Sequence, residues 1–193
     1  MYNKLDGLEI EVRNCWSCNL YKTRNKPLLG DGNPESRIML VGESPGYQED
    51  LTGKAFVGEA GKVLDRLLNE ACLGRRDVYI TNVLKCHPPR NHNPNRKQIE
   101  ACIPFLFRQI EIIQPEVIIT LGKFASRELL PWLGIEYSRV CEIHGSVFLG
   151  KLGERNIKVI PMYHPAFACF HENMINVLVS DFKRVRDVVK YFN

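Results

Sequence analysis

The chain has 193 residues, 45% of them hydrophobic, and a formal net charge of +4. That length supports one good core and is short for two, so a single domain spanning 1–193 is expected. The mildly basic balance permits a nucleic-acid partner without requiring one. Met1 to Arg13 carries five charged residues and no apolar run, which argues against a signal peptide or membrane span there and points to the cytoplasm. Seven cysteines, an odd number in a reducing compartment, argue for metal ligation by a subset rather than a disulfide framework.

In chain order, Cys15 and Cys18 form a Cys-x2-Cys pair, and Cys86 and Cys102, with fifteen residues between them, form a distant one. Four thiolates suit an iron-sulfur cluster or structural zinc equally, and spacing does not separate the two. Cys72, Cys102, Cys141 and Cys169 compete for the fourth place; Cys72, beside an apolar helix stripe, is expected in the core. Ile38 to Val41 reads as a buried strand, followed by the turn Gly42-Glu43-Ser44-Pro45-Gly46. Its two glycines allow backbone amides to approach a planar ligand or an anion, although an ordinary turn would look the same. Phe56 lies between glycine-bounded turns, free to stack on a base or to plug the core edge. Glu59 to Leu73 has apolar positions at helical spacing, and Val78 to Val83 is the next strand.

That strand carries Asn82, whose amide offers the donor and acceptor needed to read a pyrimidine edge, or else caps a turn. A dense polar stretch from Lys85 to Arg96 follows. Lys97 to Ile113 reads as a helix stopped by Pro115, Val117 to Leu121 as a strand, and Gly122 to Leu133 as a helix. Val147 to Leu149 and Ile157 to Met162 read as strands, the latter leading to Tyr163-His164-Pro165-Ala166. Asn173 to Phe192 closes the chain as an amphipathic helix. This alternation implies an α/β fold with a mostly parallel sheet, helices on both faces and ligands beyond the carboxyl ends of the strands. The loops after Val41, Val83 and Met162 are therefore the candidate site.

The joint order of these segments resembles the family 4 iron-sulfur uracil-DNA glycosylases. The matching segments are Cys15-x2-Cys18, the Gly42–Gly46 turn with Glu49-Asp50, Gly53 to Gly61 around Phe56, Tyr79 to Pro89 around Asn82, Cys102, and His164-Pro165-Ala166. The resemblance implies the three-layer αβα sandwich of the uracil-DNA glycosylase superfamily, acting as a monomer on uracil-containing DNA in base excision repair. It makes Cys15, Cys18, Cys86 and Cys102 ligands of a structural 4Fe-4S cluster, with zinc the lesser alternative. Uracil would be flipped out and its N-glycosidic bond hydrolysed to leave an abasic site. Phe56 would stack on the base, Asn82 would read its Watson-Crick edge, and His164 would stabilise the departing anion with help from Gly42 to Ser44. Glu43 is the nearest carboxylate for activating water. Glu49 is the candidate block against a C5 methyl group, because Gly46 stands where related families have tyrosine.

The resemblance also makes Ala166 to Phe170 the wedge that enters the base stack. It places phosphate contacts after Asn82, where His87 and His92 replace the family's usual arginines and Lys85, Arg90, Arg96 and Lys97 supply positive charge. A related group captures uracil-DNA covalently through a histidine in an inserted basic loop at this point. Here the segment is short and proline-rich. A protein that binds uracil-DNA covalently or without turnover is the alternative.

Overall fold

The computed structural model describes residues 2–171 and 173–190. Strands β1 (Asp31–Gly32), β2 (Ile38–Gly42), β3 (Tyr79–Asn82), β4 (Val117–Leu121), β5 (Phe148–Leu152) and β6 (Arg155–Met162) form one sheet in the order β1-β3-β2-β4-β6-β5. The four central strands are parallel, while β1 and β5 are antiparallel edges. Every residue of β2, β3 and β4 is buried, as expected of strands covered by helices on both faces, with Thr81, Asn82 and Thr120 the polar residues among them.

The helices are α1 (Tyr2–Arg13), α2 (Tyr47–Thr52), α3 (Glu59–Glu70), α4 (Arg96–Ile113), α5 (Lys123–Trp132), α6 (Val140–Ile143), α7 (Ala166–Phe170) and α8 (Met174–Val189). One core joins Met39, Val41 and Ile118 to Ile99, Leu106 and Leu129 of α4 and α5. On the opposite face, Leu40, Ile119 and Ile160 pack on Leu64, Leu68, Leu178 and Phe182 of α3 and α8. This is the expected three-layer sandwich. Among the described residues no helix is long and apolar enough to cross a membrane.

Several boundaries and one burial differ from the sequence reading. The charged segment at the start forms α1 from Tyr2, whose Leu8 and Val12 pack with Leu29 against Phe105 and Ile112. Arg108 braces this contact by donating to both carboxylate oxygens of Glu11, each at 2.6 Å. The helix expected over 59–73 stops at Glu70, and Cys72 takes a left-handed φ of 57°. Cys72 is consequently exposed rather than in the core. The closing helix ends at Val189, and residues 191–192 of the expected span lie outside the described residues. All seven cysteines are free.

Candidate active site

Parallel β2, β3, β4 and β6 end together, so the residues that follow them meet along one edge of the sheet. The Val83 N–H donates to Gly42 O (3.0 Å) and the Leu84 N–H to Glu43 O (2.9 Å), which holds the first loop against the strand end bearing Asn82. A Cβ on Gly42 would lie 2.3 Å from Asn82 Oδ1 and 2.8 Å from Phe56 Cζ, so only glycine admits this approach. Phe56 in turn stacks on His164, with centroids 5.6 Å apart and planes at 27°. Gly122, with φ of 90°, gives His164 room, since a Cβ there would sit 3.0 Å from the His164 Cβ. Four chain segments thus bring Gly42, Phe56, Asn82 and His164 together. Glu43 and Ser44 are half-buried on the loop beside them.

Asn82 is 2% exposed, and its Oδ1 is the one buried side-chain polar atom without a hydrogen-bond partner among the described residues. Leaving such an acceptor unmade costs about 1–3 kcal/mol, a cost a ligand N–H would remove. His164 has the reverse problem solved. Its Nδ1 accepts the Ala166 N–H at 3.1 Å, which leaves Nε2 to carry the proton of the neutral ring. Burial holds this imidazole down to about 4, against the opposing charge of Glu49. At neutral pH the ring is therefore an uncharged donor. Burial raises the Glu43 carboxyl, and the Lys123 cation pulls it back.

The loop carrying Phe56 is braced from two sides. Glu49 Oε1 accepts the Val57 and Gly58 N–H groups at 2.7 and 2.8 Å, just before α3 begins. Arg75 donates to Ala55 O at 2.8 Å and to Phe56 O, holding Phe56 at a left-handed φ of 52°. Gly61 passes so close that a Cβ would stand 1.8 Å from Phe56 O. Gly61→Ala is expected to displace this turn, destabilising the protein by about 1–3 kcal/mol and disturbing the site; thermal melting read alongside activity checks both.

Cys15, Cys18, Cys86 and Cys102 line a common cavity with Arg24 and Lys85. Cys86 Sγ accepts from Arg24 Nη1 and Cys102 Sγ from the Lys85 N–H, both at 3.2 Å, contacts suited to anionic sulfur. Burial pushes the Cys102 thiol up to about 12, against the opposing charge of Lys85. Among the described residues no three of His, Cys, Asp or Glu gather tightly enough to hold a single metal ion. Of the cysteines weighed for the fourth place, Cys102 alone reaches the cavity, whereas Cys72, Cys141 and Cys169 are exposed.

Two residues of the polar stretch are not free to meet phosphates. Lys85 is 1% exposed and surrounded by internal acceptors. His87 is 8% exposed, with Nδ1 3.0 Å from Pro45 O, so it ties the first loop to the segment after Asn82. Arg90, His92, Arg96 and Lys97 are exposed. Arg96 already pairs with Glu100 and Glu128. Sequence reasoning missed the supports: Arg75 under Phe56, Lys123 beside Glu43, and Thr81 and Gln109 around Lys85. Gln109 had a legible signal, a polar residue on the buried side of α4 beside Leu106, Ile110 and Ile113.

Residues 29–191 match the family described as the Uracil DNA glycosylase superfamily, and the chain belongs to it. A protein of Saccharolobus solfataricus named Type-4 uracil-DNA glycosylase is 42% identical over 97% of this chain and 87% of its own length. Proteins of the same name from Archaeoglobus fulgidus (40% identical, 95% of this chain and 92% of theirs) and Thermotoga maritima (37%, 98% of each) are similar throughout. Within the superfamily, then, the chain falls among the type-4 uracil-DNA glycosylases.

Proposed function

We infer that the protein excises uracil from DNA by hydrolysing the N-glycosidic bond, and that the pocket of Gly42, Phe56, Asn82 and His164 takes the flipped-out base. The observation that carries this reading is the orphaned Oδ1 of Asn82, an acceptor held dry beside an aromatic ring and a neutral imidazole donor. Uracil presents an N–H between two carbonyls, so Oδ1 accepts from N3 and the Asn82 amide donates to O4. Cytosine offers the opposite pattern and would leave buried groups unpaired. Free uracil should therefore inhibit excision and raise the melting temperature, while cytosine does neither. Equal effects of the two bases would remove Asn82 as the reader.

His164 Nε2–H donates to O2 as negative charge gathers on the leaving base, supplying a dipole that is already oriented before the bond breaks. Glu43 orients the attacking water, and the Gly42–Ser44 backbone borders the same space. Support for Glu49 as the block against thymine comes from Gly46, where a Cβ would lie 2.6 Å from Glu49 Oε2. The carboxylate thus fills the space in which a residue-46 side chain would begin. Phe167 and Phe170 are 41% and 82% exposed on α7, beyond His164, which suits a wedge that holds the stack open.

Cys15, Cys18, Cys86 and Cys102 would hold a 4Fe-4S cluster whose contribution is structural, clamping the N-terminal segment to the loop after Asn82. Their shared cavity, with donors from Arg24 and the Lys85 backbone on two of the sulfurs, supports ligation of one group by all four. Purified protein is expected to be brown and to lose its visible absorbance in a Cys86→Ala variant; colourless protein holding stoichiometric zinc would reverse the assignment. A monomer working in the cytoplasm fits a small repair enzyme with free thiols.

The pH dependence follows from two groups. His164 stays neutral down to about 4, so it should not limit excision between pH 8 and 5. Glu43, raised by burial, should set the acid limb above the ordinary carboxylate value, and Glu43→Gln should remove that limb along with much of the rate. For stability, unfolded His164 binds its proton near 6.5 and folded His164 near 4. Its contribution is constant above about 6.5, falls as pH drops towards 4, and changes no further below that. Melting temperatures across this range, compared with His164→Gln, test the sign.

A further inference from the structure

Lys85 is a fully buried lysine in a loop, and all of its polar groups are engaged. Its ammonium lies 2.6 Å from Thr81 Oγ1, 2.7 Å from Gln109 Oε1, 2.9 Å from Asn82 O and 3.3 Å from Leu29 O. Its own N–H donates to Cys102 Sγ at 3.2 Å, and its carbonyl accepts the Leu28 N–H at 2.7 Å. Burying an ammonium is expensive, and an apolar side chain of similar volume often serves folding as well or better. The acceptors give the reason for this one. Thr81 and Asn82 are the last two residues of β3, and Gln109 also donates to Leu29 O (3.0 Å) and Tyr79 OH (2.8 Å), tying α4 and the 28–29 segment to the same strand.

We propose that Lys85 is a positioning residue for base reading, a strut through which the four-cysteine cavity fixes the Asn82 peptide and hence the direction of its side-chain amide. The side chain grips the Asn82 carbonyl from behind while the backbone of the same residue is fastened to Cys102. A rotation of that peptide would carry Oδ1 away from the N3–H it is to meet. Such misplacements, even of about 1 Å, lower rates by up to a hundredfold or so. The cavity therefore has a use in a hydrolysis that moves no electrons.

The inference rests on Asn82 as the base reader, so Asn82→Ala is measured in parallel. In the holoenzyme, Lys85→Met is expected to reduce both the saturating single-turnover rate and the affinity for free uracil, by about tenfold or more. Affinity for DNA and visible absorbance per chain should be retained. A merely structural lysine would instead reduce the yield of folded protein and its melting temperature, leaving rate and uracil affinity per folded molecule unchanged; that result overturns the proposal. Where Lys85→Met does not accumulate, Thr81→Val and Thr81→Ser decide. Valine removes the nearest acceptor and should slow excision, serine keeps it and should restore the rate, and a wild-type rate in Thr81→Val overturns the proposal. Full activity in Asn82→Ala would sink the reading of Asn82; slow Asn82→Ala with fast Lys85→Met would sink the strut alone.

Discussion

Replacing His164 with alanine is expected to slow single-turnover uracil excision roughly a hundredfold to a thousandfold, the usual loss when one preorganised donor to a developing anion is removed. The donor is preorganised because the Ala166 N–H occupies Nδ1 and burial keeps the ring neutral, so Nε2–H is presented with no proton to lose or gain at working pH. DNA affinity should change little, because the flipped base meets this proton most strongly as the bond breaks. Phe56 loses a stacking neighbour in the variant, so its melting temperature belongs beside the rate. A His164→Gln variant keeps an N–H donor and should recover part of the loss. A rate fall confined to DNA binding, with the saturating rate intact, would remove His164 from the chemistry.

The second large effect is at Asn82. Asn82→Ala should lower kcat/KM for uracil by roughly a hundredfold or more, since a site built on buried hydrogen bonds loses both reading and placement when they go. The free protein should be no less stable, and its melting temperature should hold or rise, because an unpaired buried acceptor has been deleted. Activity falling while stability holds is the signature of a strained functional group. A variant that unfolds more readily and keeps its rate per folded molecule would mean that Asn82 is a structural cap.

The central strands were readable because burial on both faces leaves continuous apolar runs, and Val117–Leu121 has the same bounds in sequence and structure. The first helix was harder. Leu5, Leu8 and Val12 repeat at three and four, but charges surround them and their partners Leu29 and Phe105 come from distant segments. Asn82, Phe56 and His164 were legible as unusual residues beside turns. Lys85 and His87 were not, because a lysine and a histidine in a proline-rich stretch look solvent-facing until tertiary contacts supply acceptors. Cys72 left the core through a single left-handed residue at a helix end, which no periodicity reveals. The four-cysteine cavity needed the fold to unite residues up to 87 positions apart, Cys15 and Cys102.

The most direct measurement of the central claim is a single-turnover reaction with an end-labelled oligonucleotide carrying one uracil, treated with alkali and resolved under denaturing conditions. The account predicts an alkali-labile break at the uracil position, released free uracil, and no break when cytosine or thymine replaces it. An uncut strand, or a slower-migrating adduct that survives denaturation, would contradict hydrolysis and favour binding or covalent capture instead.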